Sequence, residues 1–163
     1  MVVDRADRFS VGNGRITQQH RATVATPPPQ TWLDTTRVQP VDARNVLGGE
    51  LAECGADPVT GFFRDGCCNT ADDDVGSHTV CTTVTERFLE YSKASGNDLS
   101  TPRPEWGFAG LKPGDGWCVC ASRWLDAATA GAAAPVRLAA THERALEIVP
   151  LSILRAHALD SDN

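Results

Sequence analysis

Gly110-Leu-Lys-Pro-Gly-Asp-Gly-Trp-Cys-Val-Cys-Ala-Ser-Arg-Trp124 is the stretch from which the rest of the chain is read. Within it, Pro113-Gly114-Asp115-Gly116 holds the residues of a tight turn, proline presetting φ and glycine allowing positive φ. A strand is expected directly after that turn. Residues i and i+2 of a strand face the same way, so Cys118, Cys120 and Ser122 are expected on one face and Trp117, Val119 and Ala121 on the other. Two thiols would then share one small patch. The plainest reading of such an alternating strand is packing, because cysteine behaves as a small hydrophobe and is often buried.

Downstream of this strand a short helix is expected over 122–130, stopped at Gly131. Upstream, the clearest helix is expected over 83–95. Thr83-x-x-Glu86 fits a capping box, Val84, Phe88 and Leu89 form an apolar stripe, and Gly96 suits the residue after the last turn. Val136–Thr141 reads as a second strand and Leu146–Val149, with its alternating apolar residues, as a third. Pro150 suits the first turn of a closing helix carrying Leu151, Ile153, Leu154 and Ala158. Residues 45–80 are rich in turn residues and are expected to be irregular. The pattern implies a compact α+β domain over 44–159, with a small mixed or antiparallel sheet, about three helices and long ordered loops.

Residues 1–43 read differently. They contain Gly12-Asn13-Gly14 and Pro27-Pro28-Pro29 and few periodic apolar positions, Trp32-Leu33 excepted, so a disordered, proline-containing extension is expected. The chain has 163 residues and a formal charge of −6. Its first 44 residues are net basic, so the body is strongly acidic, which argues against a nucleic-acid surface. Apolar runs fall short of the roughly 20 residues needed to span a bilayer. The charged start Met-Val-Val-Asp-Arg-Ala-Asp-Arg is unlike a signal peptide, so a cytoplasmic location without membrane attachment is expected. In a reducing cytoplasm the six cysteines are expected as free thiols.

Candidate chemistry rests on these cysteines and on polar loops. Cys81 precedes the first helix and follows His78 by three residues, while Cys67 and Cys68 follow Arg64-Asp65 in a turn. Helix N-termini and neighbouring cations activate thiols, which makes Cys67, Cys68, His78 and Cys81 the candidate catalytic residues. No standard zinc knuckle occurs, and no cofactor is called for. Zinc is the alternative, with His78, Cys81, Cys118 and Cys120 as the ligand set. Candidate ligand-binding residues are Arg64 and Asp65, then Asn97, Asp98, Ser100 and Thr101 in the loop after the first helix, and Arg123, Trp124 and His142. Asp72-Asp73-Asp74 lacks a calcium-loop pattern and reads as a solvated turn.

Several motifs in order resemble one family. They are Asn45-Val-Leu-Gly48, Asp57-Pro-x-Thr-Gly-Phe-x-Arg-Asp-Gly-Cys-Cys68, Gly76-x-His-x-Val-Cys81, Phe88-Leu-x-x-Ser-Lys93, Gly96-Asn-Asp-Leu-Ser-Thr-Pro102, Gly110-Leu-Lys-Pro-Gly-Asp115, Trp117-Cys-x-Cys-Ala121, Arg123-Trp124 and Ala140-Thr-His142. Over about 45–158 the chain resembles the mostly bacterial domain-of-unknown-function family 2237. Ala71 and Ala109 depart from its pattern, both in loops. The resemblance implies a small α+β fold and no defined activity. Two function classes stand. One is a binding domain for a small molecule or protein that uses the polar loops. The other is a small thiol- or metal-dependent enzyme with a Cys/His site.

Deleting residues 1–43 is expected to leave the thermal midpoint within a few degrees of the full chain by calorimetry, since their composition buries little apolar surface. Collapse of the truncated protein would make Trp32-Leu33 an integral part of the core.

Overall fold

The computed structural model describes residues 42–160, so the extension expected over 1–43 lies, save for Asp42 and Ala43, outside the described residues. The Pro113–Gly116 turn does lead into a strand. Strand β2, Gly116–Val119, pairs antiparallel with β1, Val80–Thr83, placing Val80 opposite Val119, Cys81 opposite Cys118 and Thr82 opposite Trp117. Around this two-stranded sheet stand three helices, α1 (Glu86–Ala94), α2 (Ala121–Thr129) and α3 (Leu151–Ala156), with short 3₁₀ turns between them. The architecture is α+β.

Helix α1 starts later than its capping box suggests. Thr83 is held in the β1–β2 ladder opposite Gly116, so Thr85 becomes the N-cap, its Oγ1 accepting from Phe88 N at 3.2 Å. At the other end Gly96 takes φ +82°, a conformation that glycine adopts freely. Asn97 N then donates to Ser92 O and Gly96 N to Lys93 O, satisfying the last carbonyls and turning Asn97 and Asp98 away from the helix.

The other two expected strands do not form. Only Val136 is bridged, to Thr82 and Ala158. Beyond it, Leu138 N and Ala139 N donate to the Asp160 carboxylate at 2.6 and 2.9 Å, so they are lost to any ladder and the chain turns as a 3₁₀ helix over Leu138–Ala140. Glu143–Glu147 is likewise 3₁₀: Ala145 and Val149, four apart, are buried, while Leu146 and Ile148 remain partly exposed. The buried spacing is therefore helical rather than alternating.

Two clusters make up the interior. The larger contains Val80, Val84, Phe88, Leu111, Val119, Trp124, Leu138 and Leu154. Trp124 is fully buried and its Nε1 donates to Ala134 O at 2.9 Å. The smaller consists of Cys54, Cys68, Cys81, Cys118 and Ala140. Here the expectation of six free thiols is corrected. Cys54 is bonded to Cys81 and Cys68 to Cys118, because the ladder sets Cys81 beside Cys118 and two loops bring a sulfur to each. Cys67 and Cys120 remain free.

Replacing Thr85 with Ala is expected to cost about 1 kcal/mol through loss of the cap, lowering the thermal midpoint by a few degrees. Thr83→Ala should cost less, and the reverse order would place the cap at Thr83.

Candidate functional site

The segment leading into β1 is built around a buried carboxylate. Asp74 Oδ2 accepts from Thr70 Oγ1 at 2.9 Å and from His78 N at 2.8 Å, while its Oδ1 lies 2.6 Å from His78 Nδ1. Burial by itself would raise the Asp74 carboxyl. The hydrogen bonds from the His78 ring, the His78 backbone and Thr70 outweigh burial and hold it below its ordinary value. Of the three aspartates read as a solvated turn, only Asp72 and Asp73 are exposed. Asp74 instead fixes an imidazole.

The opposite wall of this site is the N-terminus of α2. Cys120 is the helix N-cap, its carbonyl accepting from Trp124 N at 3.0 Å. The next amide, Ala121 N, donates to Ser77 O at 3.0 Å and so ties the start of α2 to the residue before His78. Gly76 shows how close the two side chains come. A Cβ built on it would stand 2.7 Å from His78 Cε1 and 3.1 Å from Cys120 Sγ. Hydrogen bonding to Cys120 is the strongest influence on His78; together with Asp74 it outweighs partial burial and pushes the ring up to about 9.

His78 and Cys120 open into a cleft of about 580 Å³. Phe62 lies nearly parallel to the His78 ring, centroids 6.3 Å apart. The Arg64 guanidinium sits over Trp117 at 5.3 Å, Phe108 packs against Trp117 at 5.6 Å, and Arg103 lies over Trp106 at 5.8 Å. Aromatic faces thus form much of the cleft, with two guanidinium groups on them. Among the described residues, the two non-glycine residues at positive φ both belong here: Arg64 (φ +57°) lines the cleft and Ser77 (φ +48°) adjoins His78. Such conformations concentrate where function requires a fixed geometry.

The candidates from the sequence are distributed unevenly around this cleft. Arg64, His78, Asn97, Asp98, Cys118 and Cys120 line it. Asp98 organises its own loop: Oδ1 accepts from Ser100 N, Ser100 Oγ and Thr101 N, and Oδ2 from Thr101 Oγ1. The Thr101 hydroxyl and amide, then the Ser100 groups, hold that carboxyl far below the usual carboxylate range. The hydroxyls of Ser100 and Thr101 are therefore engaged in shaping the loop. Asp65 accepts from Cys67 N and Asn69 Nδ2, and Arg123 donates to Ser95 O. Trp124 lies in the core. His142 is buried, caps the Glu143–Glu147 turn by accepting from Arg144 N, and is pulled down by burial.

Among the catalytic candidates, Cys68 and Cys81 are buried in disulfides, which removes them as free nucleophiles. Cys67 is free, but burial, then Asp65 and Glu53, push its thiol up. The zinc set divides as well, His78 standing with Cys120 while Cys81 and Cys118 belong to the disulfide cluster. Asp74 escapes sequence reasoning as the partner of His78, whereas Cys120 was expected beside His78 as one of four metal ligands. The spacing Thr70, Asp74, His78 was the available signal for Asp74.

A small α+β domain with one Asp-His-Cys line opening into an aromatic cleft is the class that the fold and site define. The chain belongs to the family described as an uncharacterized protein conserved in bacteria (DUF2237), whose model matches residues 44–158. Comparison with curated proteins finds no match. Among the described residues no helix is long and apolar enough to cross a membrane.

The protonated His78 ring, raised from 6.5 to about 9, stabilises the fold fully below pH 6.5, and this contribution is lost as pH rises through 9. Asp74 acts in the opposite sense, its contribution being present above 3.8 and lost as pH falls below it. The thermal midpoint of the wild type is expected to drop by a few degrees more than that of His78→Gln between pH 6.5 and 9. Parallel curves for the two proteins would contradict the pairing.

Proposed function

We propose that this protein binds a small organic molecule in the aromatic cleft and acts on it through the thiol of Cys120. The observation that carries this reading is the grouping of buried Asp74, His78 and Cys120, an orienting carboxylate, a base and a nucleophile: Asp74 Oδ1 lies 2.6 Å from His78 Nδ1, and the His78 ring and Cys120 Sγ both flank Gly76. Cys120 stands at the N-terminus of α2 with the His78 ring beside it. Asp74 keeps the Nδ1 proton in place and balances the charge that His78 carries when it holds a second proton.

The step this arrangement suits is attack on an electrophilic carbonyl. Cys120 sulfur forms the S–C bond, and negative charge develops on oxygen near the N-terminal end of α2, where backbone N–H groups favour an anion. The bond to the leaving group then breaks, and that group takes its proton from His78. Water, losing a proton to His78, hydrolyses the resulting thioester and returns Cys120. Binding through the cleft belongs to the same reading: Phe62, Trp117 and Phe108 supply apolar contact, and Arg64 and Arg103 favour a planar ligand that carries negative charge. The reading needs Cys120 as the free thiol that it is in the structure.

Native protein treated with limiting iodoacetamide and mapped by mass spectrometry should carry label on Cys120 well before Cys67, whose thiol is pushed up. His78→Asn should slow Cys120 labelling by about 10²-fold, the scale of a lost acid–base partner. Gly76→Ala should slow it too, by forcing His78 and Cys120 apart. Cys67 reacting first, or Cys120 reacting at an unchanged rate without His78, would reject the proposal.

A further inference from the structure

A second sulfur site lies in the interior. Cys54, Cys68, Cys81 and Cys118 come from four separate segments, and each is at most 2% exposed. The Sγ atoms of Cys54, Cys68 and Cys118 lie within 4.8 Å of one another. Cys81 is bonded to Cys54 and stands opposite Cys118 in the β1–β2 ladder, which sets a fourth sulfur against this group of three. Tetrahedral thiolate zinc, with Zn–S of about 2.3 Å, places its sulfurs roughly 3.8 Å apart.

The main chain at these positions is fixed independently of the sulfur bonds. Cys54 N donates to Gly66 O at 2.7 Å, Cys118 N to Thr60 Oγ1 at 2.8 Å and Cys81 N to Thr141 Oγ1 at 3.2 Å. Arg137 adjoins the cluster from both ends, its backbone N donating to Cys81 O and its Nη2 to Cys54 O. Its Nε is buried without a hydrogen-bond partner. Among the described residues no carboxylate forms an ion pair with it. A buried, unpaired guanidinium N–H beside two neutral disulfides calls for an explanation. A four-thiolate metal centre bears net charge −2, and a cationic donor beside it is the expected outer partner.

We propose that Cys54, Cys68, Cys81 and Cys118 form a redox-linked site for a thiophilic divalent cation, zinc foremost, with Arg137 as its outer-shell cation. In the oxidised state the four sulfurs make two disulfides. Two equivalents of a dithiol reductant donate four electrons and four protons, giving four thiols and two molecules of oxidised reductant. One zinc ion then displaces the four thiol protons and forms four Zn–S bonds. The site uses none of the side chains assigned to the cleft chemistry, so the two proposals stand or fall separately.

The full chain, reduced anaerobically with dithiothreitol and desalted, is titrated with cobalt(II) and then zinc. One cobalt per chain is expected, with thiolate-to-metal charge transfer and the visible bands of a tetrahedral site, both abolished by zinc. Cys54→Ser should abolish these bands, Arg137→Gln should weaken binding by about 10–100-fold, and Cys120→Ser should leave it intact. A reduced chain that unfolds and regains its circular dichroism on adding zinc equally supports the site, since metal binding is then folding energy. Failure to bind cobalt in any fold state overturns the proposal. So does binding that persists in Cys54→Ser but is lost in Cys120→Ser, because the metal would then sit at His78.

Discussion

The antiparallel register of β1 against β2 is the constraint from which both sulfur sites follow. Val80 pairs with Val119 at one end of the ladder, so the residues just beyond, His78 before β1 and Cys120 after β2, leave the sheet side by side. One step inward, Cys81 faces Cys118 and anchors the buried cluster. A slip of one residue would turn every side chain to the other face, separating His78 from Cys120 and dispersing the four sulfurs. The Ser77–Ala121 backbone bond reinforces this end of the ladder from outside it.

One chain thus holds sulfur in two contrasting surroundings. The four clustered cysteines are buried with Ala140, and the amides of Cys54, Cys81 and Cys118 are committed to neighbouring oxygens. Cys120, two residues from Cys118, leaves the strand and begins a helix, which brings it into the cleft beside an imidazole. Burial and pairing, rather than residue type, separate the four disulfide-bonded sulfurs from the free thiol of Cys120. The change from strand to helix between residues 119 and 121 makes the difference.

The cleft draws on local devices as much as on the sheet. Asp98 spends both its oxygens on the Ser100–Thr101 turn, which gives a stable rim without reaching for a ligand. Arg64 and Ser77 accept left-handed backbone conformations beside the cleft and His78, and Gly76 leaves out the Cβ that would crowd His78. Stacked guanidinium and aromatic groups form much of the remaining walls.

The sequence by itself determined the elements whose signals are local. The Pro113–Gly116 turn with the strand behind it, α1 stopped by Gly96, α2 before Gly131 and α3 after Pro150 follow from φ preferences and capping within a few residues. The order of motifs likewise pointed to the family. Tertiary structure decided whatever depends on partners distant in the chain. Asp160 takes the amides that Leu138 and Ala139 would give a strand, so an extended-looking segment becomes a 3₁₀ turn. Two loops supply Cys54 and Cys68 to the ladder, a choice of pairing that spacing does not encode. Asp74 resembles its solvated neighbours until the fold buries it against His78. Periodicity and capping are energies of adjacent residues, whereas the meeting of Asp74, His78 and Cys120 or of the four disulfide cysteines is set by the convergence of segments, which only packing fixes.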